Sequence, residues 1–185
     1  MTTRTIKNFN RKHLAREFGR LGFTTGVEVG VRTGAYSKRL CMANKKLALK
    51  SVDPYAMIYG DYQSNKDCMG TQNKLFATAT ERLAPYNCEI IRKTSLEAVR
   101  DFPYESIDFV YIDASHEFDF VMTDIIEWTK RVKKGGIVAG HDYKSYRMDP
   151  HCDVMLAVDT YAKVHKIKRV YLTDEPSASW WFIRK

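Results

Sequence analysis

Short apolar, β-forming runs recur along this chain, each followed by a stretch with helical spacing, and that alternation restricts the fold more than any single motif. The runs are Gly26 to Val31, Lys46 to Asp53, Cys88 to Arg92, Ile107 to Asp113 and Gly135 to Gly140. Helical patterns follow them over Ala35 to Lys46, Ser64 to Leu83, Leu96 to Arg100, Phe118 to Val132 and Asp153 to His165. An earlier helix is expected over Ile6 to Leu21, from the spacing of Phe9, Leu14, Phe18 and Leu21. Strands that alternate with helices build a parallel sheet covered on both faces, with right-handed crossovers. The last two strand-like runs, Arg169 to Thr173 and Ser179 to Ile183, break the alternation. Only Asp174 to Ala178 separates them, too short a link for a crossover helix, so they should pair antiparallel. The expected architecture is α/β: a doubly wound seven-stranded sheet, mostly parallel, with an antiparallel C-terminal hairpin. Residues 1–185 read as a single domain, with a helix over 1–22 and the sheet core over 23–185.

Composition narrows the setting. With 185 residues and 44% hydrophobic content the chain has material for one core and little for a second. No stretch approaches the roughly 20 apolar residues that a membrane helix needs, and no membrane partner is expected. The first twenty residues are basic and polar, without the apolar core of a secretory signal. Cys41, Cys68, Cys88 and Cys152 show neither a CxxC pair nor zinc-like spacing, so free thiols and a cytoplasmic location are expected. The net charge of +8 points to nucleic acid, to an acidic substrate, or to a solvated basic surface. The cations are spread along the chain and no RNA-recognition, zinc-finger or helix-turn-helix signature accompanies them.

In an open α/β sheet, ligands bind beyond the carboxyl ends of the strands, where strand order reverses. The Gly26 run ends at Glu28-Val29-Gly30 and its helix opens after Gly34. Gly30 would let backbone approach a ligand without a Cβ, and Gly34 would permit the turn into the helix. The spacing E-x-G-x-x-x-G is not the G-x-G-x-x-G of pyrophosphate binders, which disfavours a nicotinamide dehydrogenase. Asp53 closes the next strand, where a carboxylate can accept from both ribose hydroxyls of an adenosine. Its structural alternative is a turn cap in Asp53-Pro54-Tyr55. Thr94-Ser95-Leu96 follows the third strand, where a hydroxyl and a backbone N–H could meet an adenine edge; Ser95 as a helix N-cap is the simpler use.

Asp113 and Asp142 end the fourth and fifth strands, with His116 three residues beyond the first and His141 directly before the second. Two carboxylates and two imidazoles on one rim can bind a hard divalent cation. They can equally deprotonate an acceptor, a task suited to histidine near neutral pH. Structural alternatives are a helix cap for His116 and a loop hydrogen bond for His141. Asp108, Asp119 and Asp124 read as surface or capping groups. Trp128 reads as a core anchor, and of Trp180 and Trp181 one should pack inward.

The run Glu28-Val-Gly-Val-Arg-Thr-Gly-Ala-Tyr-Ser37 with Val52-Asp-Pro-Tyr55 resembles the cofactor signature of class I S-adenosylmethionine-dependent methyltransferases. The segments Ile107 to Phe118, Asp124 to Trp128 and Val132 to Tyr143 resemble the small branch of catechol-type and macrolide-sugar O-methyltransferases. The resemblance runs from about Thr25 to Tyr143, and the terminal hairpin suits it. It implies a Rossmann-like fold and S-adenosylmethionine held by Glu28, Gly30, Val31, Gly34, Ser37, Asp53, Pro54, Tyr55, Ser95, Leu96 and Asp113. Asp113 and the His141-Asp142 pair fall on the metal-ligand positions of the catechol-type enzymes, which use Mg²⁺, and His116 falls on the catalytic base. The chain departs from that pattern in having His141 where those enzymes have a carboxylate and His116 where they have a lysine. A metal-assisted mechanism and a metal-free histidine base, with Asp113 and His116 catalytic, both stay open.

The implied reaction is methyl transfer to a hydroxyl of a small molecule or sugar. Its alternatives are a nucleic-acid methyltransferase, motivated by the charge, and a cofactor-binding module without chemistry. No N-P-P-Y-like motif is present, which counts against adenine N6 as the acceptor. Selectivity should lie in the irregular segments Tyr55 to Lys66 and Lys144 to Asp153, where Tyr59, Tyr62, Tyr143 and Tyr146 could stack on a ring and Arg147 could meet an acid.

Overall fold

Each apolar run forms a strand because its branched and aromatic side chains pack on both faces of a pleated sheet. The computed structural model describes residues 2–56, 68–144 and 152–185. In chain order these form β1 (Thr2–Thr5), α1 (Arg11–Arg20), β2 (Thr25–Val29), α2 (Ala35–Ala43), β3 (Ala48–Val52), α3 (Cys68–Leu83) and β4 (Cys88–Ile91). There follow α4 (Ser95–Ala98) with a 3₁₀ turn over Val99–Asp101, β5 (Ile107–Ile112), α5 (Phe118–Thr129), β6 (Val132–Tyr143), α6 (Val154–Val164), β7 (Arg169–Leu172) and β8 (Ala178–Ile183). The sheet order is β1-β7-β8-β6-β5-β2-β3-β4. Every pairing is parallel except those of β8, which lies antiparallel between β6 and β7.

The seven expected strands are all present, and β1 adds an eighth at the sheet edge. Its sequence, Thr-Thr-Arg-Thr, is exposed throughout and carries no apolar alternation, so only its pairing with Arg169–Leu172 identifies it. The expected helix over residues 1–22 is therefore confined to Arg11–Arg20. Asn10 caps it, accepting from the N–H groups of Lys12 and His13, while His13 Nδ1 accepts from Asn10 N–H. Helix α4 is capped by Thr94 rather than Ser95, because Thr94-x-x-Glu97 forms a reciprocal capping box. Helix α5 stops at Thr129, since Val132 is already in β6.

Strand alternation sorts the core into two layers. Val110, Ile112, Val138, Trp180 and Phe182 face α5 and α6, where Ile125, Trp128, Val158 and Tyr161 meet them. Phe109, Tyr111, Ile137, Ala139 and Trp181 face α1 and α2, against Leu14, Phe18, Tyr36 and Leu40. Both tryptophans of β8 are thus buried, since neither face of this sheet is open to water. Each such side chain contributes about 1.5–3 kcal/mol of burial.

Strand β2 sits between β3 and β5, so its tip is gripped from both sides. Gly30 N–H donates to Val52 O at 2.9 Å, and Asp113 N–H donates to Val29 O at 2.7 Å. Gly30 has φ +88°, and a Cβ there would lie 2.1 Å from the Asp113 carbonyl oxygen. The glycine is required because the tip of β5 lies against it, a demand separate from any ligand's. Gly30→Ala should therefore cost about 3 kcal/mol, combining left-handed backbone strain with a clash against main chain that cannot turn aside. Urea denaturation followed by circular dichroism measures it; a loss below about 1 kcal/mol would mean that β5 can move away.

Candidate active site at the strand tips

Beyond the tip of β2, residues 30–34 form a tight turn into α2, with Arg32 (φ 53°) and Gly34 (φ 70°) both left-handed. Asp53, just past β3, braces it. Its Oδ2 accepts from the N–H groups of Val31 and Arg32, each at 2.9 Å, and its Oδ1 accepts from Tyr55 N–H at 2.8 Å. The turn-capping use and the position beside the glycine turn thus coincide in one carboxylate. Both lone pairs of Oδ2 are taken, while Oδ1 keeps a further one for a ligand hydroxyl. Pro54 lies between, and Tyr55 (φ 46°) buries its ring against Phe76, its hydroxyl unpartnered among the described residues.

Under the turn lies a polar network with no contact with water. Glu28 is 1% exposed and accepts from Ser37 Oγ, which in turn accepts from Ser51 Oγ at 3.0 Å. Burial raises the Glu28 carboxyl from its ordinary 4.5 to about 8. Farther along the edge, Ser95 Oγ donates to Asp124 at 2.5 Å and accepts from Trp128 Nε1 at 2.8 Å, while Leu96 is exposed. Asp124 is thus not a surface group: it is buried, and desolvation lifts its carboxyl to about 6. Asp108 does cap the neighbouring loop, accepting from Thr24 and Thr25 N–H.

The four rim residues converge as their places on adjacent strands require. His116 Nε2 is 3.2 Å from Asp142 Oδ2, and His141 Nδ1 is 2.9 Å from the same oxygen and 3.7 Å from Asp113 Oδ1. His116 does not cap α5: the N-cap is Glu117, and Asp153 Oδ2 accepts from Phe118 N–H. Trp180 Nε1 donates to the His141 carbonyl, fixing that strand tip from below. Asp142 holds a left-handed φ of 54°, a conformation that aspartate tolerates and that recurs at functional sites. The hydrogen bond and charge of Asp142 raise the His116 pKa above its ordinary 6.5. Burial alone would raise Asp142, but donors from His116, His141 and Lys144 outweigh it and hold the carboxylate far below its usual range. A small cleft lined by Asp113, Ser115, His116 and His141, of about 10 Å³, opens between the tips and has room for one water.

Two cations on this rim carry no sequence signature. Arg11 reaches in from the first turn of α1 and places Nη2 2.5 Å from Asp113 Oδ2. Its guanidinium lies 3.9 Å from the Tyr36 ring centroid and 5.0 Å from that of Tyr111. Lys144 Nζ is 3.1 Å from Asp142 Oδ1. Asp113, His141 and Asp142 offer ligand atoms all within 4.8 Å of one another, suitable in kind and spacing for a divalent ion. In charge they do not fit. Arg11 and Lys144 each pair with one oxygen of one carboxylate, so an incoming dication meets a rim without net negative charge.

The segments expected to bind the acceptor lie largely outside the described residues, and Tyr59, Tyr62, Tyr146 and Arg147 with them. Tyr143 is described: its hydroxyl donates to Asp159 Oδ1 at 2.7 Å, packing it against α6. The protonation of Glu28 has a measurable consequence. The fold keeps a proton that the unfolded chain releases above pH 4.5, so stability falls as pH rises from there to about 8. Glu28→Gln should therefore raise the melting temperature by several degrees at pH 8, about 1–3 kcal/mol, and by little at pH 5. An equal shift at both pH values by calorimetry would show that Glu28 is ionised in the fold.

The model of a family described as a methyltransferase domain matches residues 27–143, more than half of the chain and the span from β2 through β6. Over 136 residues the chain is 28% identical to an uncharacterized protein, R132, of Acanthamoeba polyphaga mimivirus; the match covers 73% of this chain and 58% of that relative's length. Among solved structures, an O-methyltransferase from Bacillus cereus in complex with S-adenosylhomocysteine superposes with a TM-score of 0.65 at 16% identity, covering 94% of this chain and 80% of that one. An rRNA methylase from Streptococcus thermophilus gives 0.66 at 13%, covering 97% and 99%. The glycine turn, Asp53 and the strand-tip rim all fall inside the matched span, and no helix among the described residues is long and apolar enough to cross a membrane. The chain belongs to the methyltransferase-domain family, as a class I S-adenosylmethionine-dependent member.

Proposed function

We propose that this protein methylates a hydroxyl of a small molecule or sugar, using His116 as general base. The observation that carries this reading is the His116–Asp142 pair, 3.2 Å apart at the tips of β5 and β6, one strand from the glycine turn. Residues 1–185 would act as one catalytic unit. S-adenosylmethionine, when bound, supplies a methyl group on sulfonium that an oxygen can take in a single displacement.

The chain's residues fit that partner. Asp53 Oδ1 has a lone pair left for a ribose hydroxyl, and Gly30, Val31 and Gly34 supply the backbone against which the cofactor would lie. Pro54 and Tyr55 would hold Asp53 in place. The Ser95 hydroxyl is engaged by Asp124 and Trp128, which leaves Leu96 and the main chain of Ser95 to meet an adenine. Glu28 is buried and protonated, so its part is to support the turn through Ser37.

With Nε2 held by Asp142, His116 presents Nδ1 to the acceptor and takes the hydroxyl proton as the oxygen–carbon bond forms. Arg11 and Lys144 would supply the positive field that a metal supplies in catechol-type enzymes, Arg11 through Asp113 and Lys144 through Asp142. This favours the metal-free mechanism over one with Mg²⁺ held by Asp113, His141 and Asp142.

Calorimetry should give a micromolar Kd for S-adenosylhomocysteine, and absence of heat with folded protein would overturn the cofactor assignment. His116→Ala should keep that affinity and lose about 10²- to 10⁴-fold in turnover. In the parent enzyme kcat/KM should rise with pH through an apparent pKa above 6.5, because the base must first lose the proton that Asp142 stabilises. Asp142→Asn should move this limb to lower pH; an unmoved limb would assign it to another group. Excess EDTA should leave turnover within about twofold of the untreated rate. Loss of activity that Mg²⁺ restores would return the metal to the rim.

A further inference from the structure

On the α1–α2 face of the sheet runs a groove of about 530 Å³. Five cations line it: Lys12 and Arg16 from α1, Lys38 and Arg39 from α2, and Arg82 from α3, with no carboxylate among the described lining residues. Residues 12 and 16, like 35, 38, 39 and 42, recur at helical spacing and so share a helix face. Arg82 is the only one of the five with a side-chain hydrogen bond in the described structure, donating to the Thr33 carbonyl at 2.5 Å. Like charges are gathered without internal compensation, an arrangement that costs stability unless an anion meets it.

We propose that this groove binds the phosphate backbone of a single-stranded nucleic acid. Three of the five cations are arginines, whose planar fork matches phosphate in a bidentate manner. They are spread over three helices around a groove of about 530 Å³, more room than one phosphate group fills, so a chain of phosphates suits them better than a free anion. The groove is concave, and its one large exposed apolar lining residue is Met42, with no tryptophan or phenylalanine among the described lining residues, unlike the wedge that anchors a helix in a membrane. It is also continuous with the proposed cofactor site, since it begins at Ala35, the first residue after the glycine turn, and Lys12 adjoins the rim residue Arg11.

Fluorescence anisotropy with a labelled 12-nucleotide single-stranded RNA tests this, with calorimetry of S-adenosylhomocysteine run in parallel. The parent should bind the RNA, with a slope of log K against log salt near −3.5 for five phosphates neutralised. Lys12→Glu/Arg16→Glu and Lys38→Glu/Arg39→Glu should each weaken RNA binding at least tenfold while leaving S-adenosylhomocysteine affinity unchanged. Millimolar pyrophosphate should not displace the RNA. Absence of RNA binding at 50 mM salt, unweakened binding by both variants, or binding of phosphatidylserine vesicles in place of RNA would overturn the proposal. Failure of S-adenosylhomocysteine binding alone would count against the cofactor reading and leave the groove's assignment standing.

Discussion

The tip of β2 is the point on which the site depends. It is held by β3 on one side and β5 on the other, and the close approach of Asp113 to Gly30 leaves no room for any side chain there. Because β6, β5, β2 and β3 lie side by side and run parallel, their carboxyl ends form one line of turns. Asp53, the glycine turn, Asp113 and the His141-Asp142 pair occupy that line as residues at or just beyond adjacent strand ends. Backbone strain gathers along the same edge, at Arg32, Tyr55 and Asp142.

Electrostatics at this edge follow from desolvation. Asp142 collects three donors, and Asp113 takes a guanidinium that packs on two aromatic rings. A half-buried carboxylate is tolerable only with such partners, because the interior does not replace the water it loses. Glu28, lacking a direct cation, resolves the same conflict by keeping its proton. Two carboxyl groups on one sheet therefore have opposite protonation states at neutral pH, and the difference is set by the donors around each.

The sheet was legible from sequence wherever strands are buried on both faces, since a short, continuous apolar run bounded by turn residues suits a buried strand and little else. Strand β1 was not, because an exposed edge strand needs no apolar side chain and Thr2–Thr5 pairs through backbone alone. The rim was legible as residue types at strand ends, which proximity in the sheet then joins. Arg11 and Lys144 were not, for a lone cation on an amphipathic helix or after a strand reads as solvated surface until a partner distant in sequence is placed beside it. The same holds for Asp124, whose burial comes from α4 packing on α5. The groove's cations were visible only as a dispersed charge; three helices separated in sequence had to be assembled before they faced one another.

The outer edge of the sheet sets a schedule for folding. Thr2 bonds to Lys168, 166 residues away, and the N–H of Arg11 donates to Glu175 in the loop between β7 and β8. A ribosome adding about 5–20 residues per second would leave the first strand without its neighbour for roughly ten to thirty seconds. For about the last third of that interval Asp113 can already lie at the tip of β5, yet α1 lacks the hairpin that helps to seat it. The strand-tip edge is then completed by segments far apart in sequence, and a nascent protein short of the β7–β8 hairpin lacks the Trp180 and Glu175 contacts that hold His141 and Arg11.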